Sequence, residues 1–172
     1  MADGFKVELD DRELQQLLDH ALKATGDLSP AMKAIGEYML LSTEENFAGE
    51  HAPDGTPWKP LKVLSYHLAW TVGRKKKTHT ARGMLTKAFQ SYLAGRKILT
   101  DSGELRGSIH YSADRTSVTI GSGKIYSAIH QFGGQAGRNR KVTIPARPYL
   151  GVGPGDRSEI VKTIDEYIAR AL

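Results

Sequence analysis

Residues 52–60 read APDGTPWKP, and no other stretch constrains the fold so strongly. Three prolines and an Asp-Gly pair within nine residues leave no run along which helix or strand hydrogen bonding can continue. The segment must be an ordered loop or a series of turns, with Trp58 as its anchor. It also divides the chain. Helical spacing dominates before it, and a mixture of helical and alternating patterns follows it.

On the N-terminal side, Phe5, Val7 and Leu9 alternate with Lys6, Glu8 and Asp10, which predicts a short opening strand. Asp10 or Asp11 then caps a helix whose stripe is Leu14, Leu17, Leu18, Ala21 and Leu22, ending near Thr25 and Gly26. Ser29 and Pro30 form a second start signal, with serine at the cap and proline in the first helical position. Met32, Ile35, Met39, Leu40 and Phe47 carry that helix toward Gly49.

Beyond the loop, residues 61–72 are moderately apolar and fit a helix, whereas residues 73–83 read as a mobile basic excursion. Met84, Leu85, Ala88, Phe89, Tyr92 and Leu93 restore a helical stripe before Gly95. The period then changes. Residues 108–112 (SIHYS) and 117–121 (SVTIG) predict antiparallel strands joined through Ala113, Asp114 and Arg115. Residues 125–132 form a short apolar helix, 133–141 a glycine-rich basic loop, and 142–144 and 149–152 further strand pieces. Asp156 opens a last helix striped by Ile160, Val161, Ile164, Tyr167, Ile168 and Leu172. The expected fold is one α+β domain spanning residues 1–172: a small antiparallel sheet packed against helices, with long loops and a C-terminal amphipathic helix.

The 172 residues suffice for one core, and the absence of cysteine removes disulfides, thiolate nucleophiles and cysteine-based metal sites. The N-terminus, MADGFKVELD, has neither a basic nor an apolar leader region, which reads as a chain that stays in the cytoplasm where it is made. Charge is divided along the chain. Residues 1–50 hold eleven acidic and four basic side chains, residues 51–172 eight and twenty, and the net is +5. Three readings fit: an acidic half folded over the basic half, a basic face for nucleic acid, or copies that pair acidic surface with basic surface.

Catalytic and metal signatures are missing. His20, His51, His67, His79, His110 and His130 show no metal-ligand spacing, and no metal or cofactor is expected. His130, on an apolar turn, reads as a hydrogen-bonded structural histidine rather than a base. The GSGK run at 121–124 fails as a phosphate loop, because Val118 replaces the leading glycine and Ile125 the magnesium-holding hydroxyl. No GxSxG elbow exists, and no enzyme is predicted. Two basic stretches remain: Arg74, Lys75, Lys76 and Lys77 with Arg82, and Arg138, Arg140 and Lys141 with Arg147. Either they touch DNA phosphates without reading sequence or they are solvated charge runs.

Four motifs occur together in a specific order: GTPWKPL at 55–61, ILTDSGELRGSI at 98–109, YSAIHQFGG at 126–134 and IPARPYLG at 144–151. In this combination the chain resembles, over residues 5–172, the virion morphogenesis or tail completion family of Mu-like and related tailed phages. The resemblance implies a non-enzymatic structural protein of the neck or tail junction, needed for tail completion and head-tail joining. It implies a homo-oligomeric ring, with a hexamer expected, around the DNA path in the virion. Neighbouring neck or tail proteins, and the genome through non-specific phosphate contact, would be its partners, with no membrane. A non-specific DNA-binding module in phage or prophage DNA handling is the alternative. The basic stretch between Trp58 and Ile98 departs from the family pattern.

Residues expected to define the fold or an interface are Trp58, His130, Gln131, Phe132, Gly133, Arg147 and Tyr149. Pro145 and Pro148 would hold Arg147 outward for docking, and Phe132 would serve as an apolar plug between polar His130 and Gln131 and a glycine exit. Arg74, Lys75, Lys76, Lys77, Arg138, Arg140 and Lys141 are the expected DNA-facing set.

Overall fold

The computed structural model of the protein describes residues 12–61 and 77–171. The expected opening strand at residues 5–9, the cap at Asp10 or Asp11, the helix over 62–72 and the cations Arg74, Lys75 and Lys76 lie outside the described residues.

The elements run α1 (Arg12–Thr25), α2 (Ser29–Gly49), α3 (Lys87–Ala94), β1 (Ile109–Ala113), β2 (Val118–Ser122), α4 (Ser127–Phe132), β3 (Gly134–Ala136), β4 (Val142–Ile144) and α5 (Pro154–Ala171). Short 3-10 turns lie at Arg106–Ser108 and Arg138–Arg140. The α+β class is as expected, but among the described residues the strands form two separate two-stranded antiparallel sheets, β1 with β2 and β3 with β4.

The first core joins α1, α2, α5 and the β1–β2 hairpin. Ala21, Leu28, Met32, Ile35, Met39, Ile160 and Ile164 are buried there, with Val118 and Ile120 packed on from the hairpin. The leucine stripe of α1 faces this core and the helix stops as Gly26 takes a φ of 75°. The start of α2 differs from expectation. Leu28, not Ser29, holds the N-cap position with no side-chain cap bond, and the Asp27 carboxylate before it accepts from the Ser29 N–H at 3.0 Å and from the Ser29 hydroxyl at 2.7 Å. The serine hydroxyl thus serves as a donor and has no role toward the helix amides.

The β1–β2 register pairs Ile109 with Ser122 and Ala113 with Val118. Ala113 therefore ends the strand instead of opening the turn. Asp114 makes the reversal, its Oδ1 accepting from the N–H groups of Thr116 and Ser117 at 2.9 and 2.8 Å. Residues 133–141 are not a plain loop, because β3 and β4 pair Gly134 with Ile144 and Ala136 with Val142, leaving only the tip irregular. No strand forms at 149–152, where side chains rather than a neighbouring strand take the backbone hydrogen bonds.

Helix α3 starts three residues later than its apolar pattern suggests. Thr86 caps it, accepting from the Phe89 N–H at 3.3 Å, while Met84 stays outside the helix and exposed. Of the 73–83 stretch, residues 77–83 are described. They lead into a tight turn in which Thr80 bonds to Met84, Thr86 bonds to Thr78, and the Thr78 side chain is buried.

Candidate functional site

The second core is where the sequence motifs meet. Phe47, Ala52, Trp58, Ile98, Leu105, Tyr149 and Leu150 form one buried cluster, so GTPWKPL, ILTDSGEL and IPARPYLG converge on the end of α2. Phe47 lies 5.6 Å from the Trp58 ring, edge-on at 82°, and 5.1 Å from Tyr149. The Trp58 indole N–H donates to the Pro148 carbonyl at 2.7 Å, tying the proline-rich loop to the IPARPYLG segment. The buried indole fits the fold-sealing role.

The HQFGG motif enters through Gln131, on the buried face of α4. Its Oε1 accepts from the N–H groups of Tyr149 and Leu150, both at 3.0 Å, and its Nε2 donates to the Leu150 carbonyl at 2.6 Å. One carboxamide thus replaces a strand edge for a segment that Pro145 and Pro148 keep out of any sheet. Tyr149 is fully buried, its hydroxyl donating to the Ser127 carbonyl at 3.2 Å, and burial pushes its pKa up to about 12. Gly133 follows α4 with a φ of 74°. A Cβ there would meet the Ala146 nitrogen at 2.7 Å, so the expected glycine exit is both conformational and steric.

Three sequence expectations need correction. Arg147 is not held outward: it is 3 % exposed, its Nε donates to the Lys59 carbonyl at 2.8 Å, and its N–H donates to the His130 carbonyl at 2.8 Å. The guanidinium turns inward because the proline-rich loop presents backbone carbonyls that a planar multi-donor group satisfies. Phe132 is no plug, being 58 % exposed at the end of α4, because Gln131 takes the inward phase of that short helix. His130 is not hydrogen-bonded through Nδ1, which is buried with no partner, while its ring packs edge-on against Tyr126. Burial, then the nearby charge of Arg147, hold its pKa below the ordinary value.

Sequence reasoning missed Asn46, whose Nδ2 donates to the Tyr149 carbonyl at 3.2 Å, although Asn46 falls on the helical phase of buried Met39, Ser42 and Thr43. It also missed Glu50, whose carboxylate accepts from the Ile98 N–H, because that residue follows the helix stop. Asp156 is buried and accepts from the Gly153 N–H at 2.7 Å and the Tyr38 hydroxyl at 3.0 Å, a role beyond opening α5.

The GSGK run is structural. The Ser122 hydroxyl meets that of Ser108 at 2.6 Å, and Lys124 bridges Glu104 at 2.9 Å. Among the described residues, no three histidines or carboxylates gather as metal ligands, and no helix is long and apolar enough to cross a membrane.

Two surfaces stand out. The β3–β4 hairpin exposes Arg138, Arg140, Lys141 and Val142, next to exposed Phe132. The outer face of α2 exposes Glu37, Leu41, Glu44 and Glu45.

A motif-built core holds the proline-rich loop, and charged surfaces lie outside it, with no catalytic constellation between them among the described residues. The chain belongs to the phage virion morphogenesis family, whose model matches residues 9–95 and 90–169. It is similar to the Mu-like prophage FluMu G protein 2 of Haemophilus influenzae, 29 % identical over 164 residues that cover 95 % of each chain. It is similar also to the putative capsid assembly protein G of Escherichia phage Mu, 30 % identical over 174 residues that cover 100 % of this chain and 99 % of that one. No solved structure matches it.

Proposed function

We propose that the protein is a structural component of the neck or tail junction, required for tail completion and head-tail joining, and that its copies form a ring around the DNA path. The family supports a virion role. The observation that carries the finer reading is the placement of acidic α2 and the basic hairpin as separate exposed surfaces of one unit, a pair that favours head-to-tail association of copies. A closed ring of such copies has a channel, and one of the two basic stretches would meet DNA phosphates there. Catalysis has no part in this reading.

Electron microscopy of particles made after deletion of the gene tests it. DNA-filled heads separate from unfinished tails are the expected products. Infectious, fully joined particles would overturn the reading. Loss of filled heads would also overturn it and place the protein in capsid assembly, the activity named for the phage Mu relative.

A further inference from the structure

We infer that the β3–β4 hairpin of one copy docks on the outer face of α2 of the next copy, with Val142 seated against Leu41 and the hairpin cations against the α2 carboxylates. The inference rests on the ring reading and supplies its contact surface. Val142 is 55 % exposed and Leu41 61 %, each an apolar centre flanked by charged side chains, basic at the hairpin and mostly acidic on α2, where Glu44 also pairs with Arg106 at 3.4 Å. Around Val142 are Arg138, Arg140 and Lys141; around Leu41, at helical spacings of three and four, are Glu37, Glu44 and Glu45.

The hairpin is suited to projecting. A two-stranded ribbon is marginal by itself, and both β3 and β4 are largely exposed. At its tip Asn139 and Arg140 hold φ values of 59° and 54°, a left-handed pair that ordinary side chains disfavour and that a docked loop compensates. DNA would reward the cations but not the exposed valine and phenylalanine. An acidic surface with an apolar centre rewards both, and α2 of this chain is such a surface. Because the two patches differ, the contact is heterologous and adds copies in one direction until a ring closes.

The absence of cysteine makes the test direct. A Leu41→Cys, Val142→Cys double variant treated with a short bis-maleimide should give a ladder above dimer, in purified protein and in particles. Either single variant, and a Leu41→Cys, Asp165→Cys control on exposed α5, should give none. Adding Arg140→Glu and Lys141→Glu should abolish the ladder, and adding Glu44→Lys and Glu45→Lys should restore it. No ladder from a protein that still sediments as an oligomer would overturn this contact and leave the ring reading standing. Loss of duplex binding on reversal of Arg140 and Lys141, with self-association unchanged, would assign the hairpin to DNA and also overturn it. Infectious particles without the gene would sink the ring reading instead.

Discussion

The carboxamide of Gln131 both gives to and takes from the backbone of Leu150, Nε2 to carbonyl at 2.6 Å and N–H to Oε1 at 3.0 Å. This two-bond ring is the pairing a strand neighbour would make, supplied by one side chain nineteen residues away. With the Tyr149 N–H on the same oxygen, it makes Gln131 the joint between the HQFGG and IPARPYLG segments.

Replacing that joint should be costly. Gln131→Met keeps the volume but strands two buried N–H groups and a carbonyl, for a loss of about 4 kcal/mol in urea unfolding. Gln131→Glu keeps an acceptor and sets an oxygen against the Leu150 carbonyl; once protonated, the introduced carboxyl donates there instead. Its deficit should therefore shrink as pH falls from 7 to 4. A deficit independent of pH, or Gln131→Met at wild-type stability, would refute this account.

Gly153 and Gly155 make a matched pair at the start of α5. A Cβ at Gly153 would lie 2.1 Å from the Pro53 carbonyl oxygen, whereas nothing lies within 4 Å of one at Gly155. Gly153→Ala should cost about 2 kcal/mol by displacing the proline-rich loop. Gly155→Ala should gain about 0.5 kcal/mol from helix propensity. Thermal unfolding of both variants decides it, and equal effects would contradict the close approach.

Alkaline pH should unfold the protein through its tyrosines. Burial raises Tyr149 to about 12, and burial followed by the bond to Asp156 raises Tyr38 to about 12, from an ordinary 10.0. A raised phenol leaves stability intact below pH 10, because the neutral form is present in both states. Between pH 10 and 12 the unfolded chain loses the proton first and stability falls. Ultraviolet titration should show late phenols that include Tyr38 and Tyr149, and Tyr149→Phe should remove one of them and weaken the alkaline loss.

At the acid end His130 acts in the opposite sense. Its pKa is lowered by burial and then by Arg147, so its contribution is intact above the unfolded value. As pH falls below about 6.5 the unfolded imidazole binds a proton that the folded one resists, and stability drops. His130→Phe should flatten this limb of the denaturation curve. A ring titrating at the ordinary value in proton NMR would rule out the mechanism.

Local patterns were legible where one helix or turn decides its own geometry. The leucine stripe announced α1, Pro30 the start of α2, the SIHYS and SVTIG runs the first hairpin, and Asp156 the last helix within its first turn. Start points slipped where a polar side chain outside the apolar pattern took an early helix amide, as Asp27 took the Ser29 N–H and Thr86 the Phe89 N–H. Spacing carries no information about which of two adjacent side chains wins an exposed amide.

Composition and periodicity by themselves determined the α+β class and the irregular loop about Trp58, and the four motifs carried the resemblance to the family. Only the tertiary structure decided that Arg147 turns inward, that Phe132 faces solvent and that Gln131 stands in for a strand. The Arg147 guanidinium finds its carbonyl 88 residues back, at Lys59, and a polar group's direction follows from whichever distant partner offsets its desolvation. That partner exists only once the two cores have closed around it.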